Sequence, residues 1–120
     1  MSAIATFTAV NLDCPDPAAL AEFYHRLTGW EITYSDDNYG AVSGDVTLYF
    51  QRADDHHRPT WSEPHTPQQI HLDFRVDDLD KAEALLLELG AAKPEFQPGQ
   101  DRWRVLTDPA GHPFCICRKS

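Results

Sequence analysis

A chain of 120 residues, 42% hydrophobic and 24% charged, has the make-up of one globular domain or two small halves, and excludes a disordered tail or a collagen-like repeat. Lys plus Arg number 10 against 19 Asp plus Glu, a net charge of -9. Phosphate backbones are repelled by such a surface, so nucleic acid is excluded as a partner, while a small neutral, cationic or aromatic ligand is not opposed.

No apolar run approaches the ~20 residues of a membrane helix. The opening Met-Ser-Ala-Ile-Ala-Thr has no basic segment and no signal-like core, so a cytoplasmic protein is expected. The three cysteines, Cys14, Cys115 and Cys117, are odd in number and form no CxxC. That argues against a disulfide framework or a structural zinc site and reads them as small buried hydrophobes.

In chain order, the first predicted strand is Ile4 to Asp13, with Thr8, Val10 and Leu12 on one face and Asn11 and Asp13 on the other. Asp16-Pro17 opens a helix, since Asp caps free N–H groups and Pro suits the first helical position. Leu20, Phe23, Tyr24 and Leu27 form its apolar stripe, and Gly29 stops it. Strands are predicted over 31–35, 39–43 and 46–52. Residues 53–68, with three prolines and Trp61, read as a connecting loop or flap.

The pattern then recurs. Ile70, Leu72, Phe74 and Val76 alternate with His71, Asp73 and Arg75. Asp77-Asp78 opens a second helix with a stripe of Leu79, Ala82, Leu85, Leu86 and Leu89, and Gly90 ends it. Strands are predicted near 91–96, 102–107 and 114–118, about eight in all, and Asp108-Pro109-Ala110-Gly111 is a tight turn. Asn11-Leu12-Asp13 pairs with His71-Leu72-Asp73 at an offset of 60, Gly29 with Gly90 at 61, and 48–52 with 114–118 at 66. The expected fold is α+β: two βαβββ units, 1–52 and 69–120, joined by 53–68. Each helix covers the apolar face of its own sheet, and the polar opposite faces form a cleft.

Four segments carry a family resemblance: Asp13-Cys14-Pro15-Asp16-Pro17 running into Ala18-Ala19-Leu20-Ala21-Glu22-Phe23-Tyr24, Pro67-Gln68-Gln69-Ile70-His71-Leu72-Asp73, Val76-Asp77-Asp78-Leu79-Asp80, and Asp108-Pro109-Ala110-Gly111-His112-Pro113-Phe114-Cys115. In this order they resemble the vicinal oxygen chelate superfamily of glyoxalases, bleomycin-resistance proteins and extradiol dioxygenases, and in particular the stand-alone glyoxalase-like domains common in actinobacteria. The resemblance implies a U-shaped cleft and a homodimer. Metal-using relatives place His, Gln or Glu on four cleft strands. The matching positions here are Ala9 or Asn11, Tyr49 or Leu48, His71 and Cys115, of which only His71 is a conventional ligand. A divalent metal is therefore disfavoured, because an open catalytic centre normally needs about three protein ligands.

The expected ligand-binding residues are Asn11, Tyr49, Gln51, His71, Asp73, Trp61, Trp103 and Cys115, with His71 the one candidate acid/base, since its imidazole titrates near neutral pH. His56, His57 and His65 lie in the loop without chelating spacing. The sequence favours a binder of a small aromatic molecule over a metal-dependent lyase, isomerase or dioxygenase, and over a ligand-free dimeric scaffold. Whether it is an enzyme is left open by these residues.

Overall fold

A computed structural model describes residues 7–59 and 70–118. Trp61, His65 and the start of the first predicted strand lie outside the described residues. The chain divides into two compact units, Met1–His56 and His57–Ser120.

The first unit runs β1 (Ala9–Cys14), α1 (Pro17–Thr28), β2 (Glu31–Ser35), β3 (Tyr39–Ser43) and β4 (Thr47–Arg52). The sheet order is β1-β4-β3-β2, with β1 parallel to β4 and the other pairs antiparallel. Asp16 accepts the Ala19 N–H at 3.2 Å, and Pro17 begins the helix. Gly29, at φ +76°, donates its N–H to the His25 carbonyl, a left-handed stop that glycine adopts without strain. The helix buries Leu20, Ala21, Phe23 and Tyr24, and the Tyr24 ring stacks on Phe50 with centroids 5.4 Å apart. A Cβ at Gly40 would sit 2.8 Å from the Pro17 carbonyl oxygen, so glycine there lets the helix start approach the sheet closely.

The second unit runs β5 (Leu72–Val76), α2 (Leu79–Glu88), β6 (Trp103–Thr107) and β7 (Pro113–Arg118), in the sheet order β5-β7-β6. Asp78 caps α2 through the Lys81 N–H at 3.1 Å. Two expectations are corrected here. The strand predicted over 91–96 shrinks to a single bridge, Ala92 to Thr107, leaving seven strands among the described residues. Pro94 and Pro98 bring no N–H to a ladder. The Gln97 side-chain amide pairs instead with Val105, donating to its carbonyl and accepting its N–H, both at 2.9 Å, and so satisfies the outer edge of β6. Leu85, placed in the α2 stripe by its spacing, is 52% exposed; the helix buries Leu79 and Leu86.

The 108–111 turn forms as its residues predict, with the Gly111 N–H donating to the Asp108 carbonyl at 2.8 Å. Asp108 is fully buried, and its carboxylate accepts the N–H groups of Ala110 and His112, each at 2.9 Å. That internal role is the satisfied state a buried carboxylate requires.

The strand registers also revise how the two units correspond. Asn11 stands opposite Tyr49 on β1/β4, and Asp73 stands opposite Cys115 on β5/β7. The helix caps Asp16 and Asp78 are 62 apart. With Tyr49 matched to Cys115, the equivalent of Asn11 is therefore Asp73, and the equivalent of Ala9 is His71. The offset over the first strands is 62 and not 60. A slip of two leaves every side chain on the same face, so alternation could not detect it.

Candidate functional site

In the first unit, alternation along β1 and β4 buries Leu12, Cys14, Leu48 and Phe50 and leaves Asn11, Asp13, Tyr49 and Gln51 exposed. Register aligns them in rows across the sheet: Asn11, Tyr49, Ala41 and Tyr34 in one, and Asp13, Gln51 and Tyr39 in the next. A third row is tied by hydroxyls, Ser43 bonding both Thr33 at 3.2 Å and Thr47 at 3.3 Å. The face away from α1 thus carries three half-exposed tyrosines among amide and carboxylate groups. Tyr34 and Tyr39 were not among the expected site residues. A bulge between Ile32 and Tyr34 shifts the register of β2 and breaks simple alternation at Tyr34, whereas Tyr39 pairs with Gln51 in an unbroken β3/β4 register. The Tyr34 hydroxyl donates to Asp36; this bond raises the phenol pKa and lowers that of the carboxylate, which also accepts the Tyr39 and Asn38 N–H groups.

In the second unit, His71 and Asp73 are exposed neighbours on one face, with His71 Nε2 3.4 Å from Asp73 Oδ1. Across the parallel register lies Cys115. One donor atom from each of the three lies within 4.8 Å of the others. Strand β7 is central, and Cys115 is only 4% exposed. Burial, then the charge of Asp73 and a hydrogen bond to it, push the thiol up to about 12. At neutral pH it is protonated and a poor nucleophile. In the next row are Arg75, Cys117 and Trp103. The Trp103 indole packs on Gly99, where a Cβ would lie 2.3 Å from the ring, so much of that ring covers the 97–102 turn.

The structure therefore groups Asn11, Tyr49 and Gln51 on the first sheet and His71, Asp73 and Cys115 on the second. Trp103 sits half-buried beside the second group, and Trp61 lies outside the described residues. Of the loop histidines, His56 is half-buried and His57 is exposed.

The registers allow a test of the four metal positions that the superfamily resemblance implies. They fall at Ala9, Tyr49, His71 and Cys115. A methyl group donates nothing, and a tyrosine phenol is not among the usual His, Cys and carboxylate ligands, so the four do not fit a conventional centre.

Residues 9–117 match the glyoxalase-like domain family. No curated protein matches the sequence. Among solved structures, a glyoxalase/bleomycin resistance protein/dioxygenase family enzyme from Burkholderia phytofirmans is similar at a TM-score of 0.71 and 20% identity, over 95% of this chain and 98% of that one. A bleomycin-binding protein from Streptomyces verticillus, complexed with copper(II)-bleomycin, is similar at 0.61 and 17% identity, over 99% and 100%. An antibiotic-binding protein from a Streptomyces species is similar at 0.62 and 21% identity, over all of both chains. Identities of this size speak for the fold alone. With 9–117 inside the family and two related sheet–helix units on the page, the chain belongs to the glyoxalase-like domain family of the vicinal oxygen chelate superfamily.

Proposed function

We propose that this protein binds a small organic molecule with a planar, neutral or cationic part, and that binding rather than metal-dependent turnover is its primary role, as in sequestration or resistance. The observation that carries the reading is the first unit's open sheet face. Rows of Tyr34, Tyr39 and Tyr49 with Asn11, Asp13 and Gln51 offer flat apolar surface and a few hydrogen-bonding groups together. Ligand sites have this mix. A net charge of -9 opposes anions and leaves neutral or cationic molecules free to approach. Antibiotic binding by two structural neighbours supports the class without naming the ligand.

Thermal-shift and calorimetric titration of metal-stripped protein, with copper(II)-bleomycin as the first probe and planar aromatic antibiotics as a panel, tests the reading. A ligand at ~100 times its dissociation constant adds about 2.7 kcal/mol of stability. Tyr49→Ala should weaken binding about three- to tenfold, the worth of one aromatic contact. An unshifted melting curve across the panel, or identical affinity in Tyr49→Ala and the parent, overturns the reading. We further propose a homodimer in solution, which sedimentation equilibrium measures directly.

A further inference from the structure

The three tyrosines of the first unit's open face are not scattered along it. We propose that Tyr34, Tyr39 and Tyr49 form an aromatic cage for an organic ammonium group, methylated or otherwise alkylated. This rests on the binding reading above and narrows its ligand from neutral or cationic to cationic.

Register builds the cage. Tyr49 on β4 and Tyr34 on β2 both pair with Ala41 on β3, one from each side. Neighbouring strands lie about 4.8 Å apart, so the two tyrosines stand roughly 10 Å from each other across a methyl group. Tyr39 is two residues from Ala41 on the same strand, and so on the same face. Three rings thus surround one small residue. Ala41 is 1% exposed, whereas Tyr34, Tyr39 and Tyr49 are 53%, 52% and 46% exposed, so the rings and not the alanine meet solvent. Cation–π attraction acts out to ~6 Å from a ring centroid, and a position above the alanine brings a cation near all three. Asp36 positions two of the three. Its carboxylate accepts the Tyr34 hydroxyl and, at 2.8 Å, the Tyr39 N–H, and it sets a negative charge beside the rings.

Charge complementarity selects the occupant. Residues 1–56 hold nine Asp and Glu against two arginines and no lysine, whereas 57–120 hold ten against eight Lys and Arg. Of the two arginines, Arg26 is in the last turn of α1, across the sheet, and Arg52 is bonded to Asp54 at 3.0 Å. Neither shares a row with the tyrosines. A neutral planar molecule gains only flat surface here, while a cation gains the ring quadrupoles and the local field as well. The second unit has no such cage. At the places of Tyr49, Ala41 and Tyr39 it carries Cys115, Val105 and Trp103, a single aromatic.

Calorimetric titration of the full chain with para-trimethylammoniophenol and with its uncharged carbon analogue, para-tert-butylphenol, tests charge at constant shape. The ammonium is expected to bind about tenfold more tightly or better, with the preference shrinking as salt rises. Tyr49→Leu, which keeps apolar bulk and removes the ring, should weaken ammonium binding about two- to fivefold, and Tyr49→Phe should keep it. Asp36→Asn should weaken it as well. Glu22→Gln, which removes the same charge from an exposed position on α1, should leave it unchanged. Melting curves establish that each variant is folded. Equal affinity for the two phenols overturns the proposal. So does a preference undiminished in a folded Tyr49→Leu, or equal weakening by Asp36→Asn and Glu22→Gln. Binding of the antibiotic panel without any preference for the ammonium removes the cage and leaves the binding reading standing, whereas failure of every compound removes both.

Discussion

The two units use one chain plan and hold it together differently. In the first, α1 buries Leu20, Phe23 and Tyr24 on the sheet, and Tyr24 stacks on Phe50. In the second, α2 buries only Leu79 and Leu86. There the helix is tied to β6 by charge. Arg104 contacts Asp80 at 2.8 Å and Glu83 at 3.3 Å, and Lys93 contacts Glu83 at 3.0 Å. Arg104 and Glu83 are each 19% exposed, so water is partly excluded from that pair, whereas Asp80 is 89% exposed. The open faces differ in the same way. Asn11 and Tyr49 hold the register that Asp73 and Cys115 hold in the other half. A duplicated plan fixes where side chains sit and leaves their chemistry free, so one half can carry an aromatic surface and the other a set of titratable donors.

The sharpest way to break this comparison is to truncate the apolar anchors. Phe50→Ala is expected to cost about 3–5 kcal/mol in denaturant unfolding, and Leu86→Ala about 2 kcal/mol, the low end for a buried leucine. A larger loss at Leu86 would show that α2 is also held mainly by apolar packing. Leu85→Ala on the exposed side of the same helix should stay within about 0.5 kcal/mol.

Next in size is Asp108→Ala in the second unit's turn. It leaves the Ala110 and His112 N–H groups without their acceptor, at an expected loss of about 1–3 kcal/mol, and Asp108→Asn should recover part of it because an amide oxygen still accepts. Equal losses for Ala and Asn would show that charge, not acceptance, matters there.

Arg104→Gln should destabilise by about 1 kcal/mol or less, the scale of partly exposed ion pairs, and the loss should shrink as salt rises. Phe50→Ala should show no such salt dependence. A salt-independent Arg104→Gln would remove the electrostatic half of the comparison.

The smallest expected effect is a pH dependence on the first unit's open face. The hydrogen bond to Asp36 raises the Tyr34 pKa above 10.0, so its contribution to stability is whole below that pH and fades as pH rises through the folded value. Asp36 is lowered below 3.8, so its contribution is present above that pH and fades as pH falls through the folded value. Ultraviolet titration should show an earlier-titrating phenol in Asp36→Asn than in the parent, because the bond that raises Tyr34 is gone.

Much of this was legible from residue order. The capping aspartates, the stopping Gly29, the α1 stripe and the period-two strands are local signals, and each repeats because each is written in a few adjacent residues. The sequence by itself also determined which faces are polar: Asn11, Asp13, Tyr49 and Gln51 against Leu12, Cys14, Leu48 and Phe50. Pairing was decided only by the tertiary structure. Which residue of β7 stands beside Asp73 depends on a register that a slip of two leaves invisible to alternation, and that register brings Asp73 to Cys115. The missing fourth strand of the second sheet was decided in the same way, by Gln97 reaching Val105 from eight residues away. So was the exposure of Leu85, because helical spacing names a stripe of candidates while the width of the sheet beneath sets how many of them are covered.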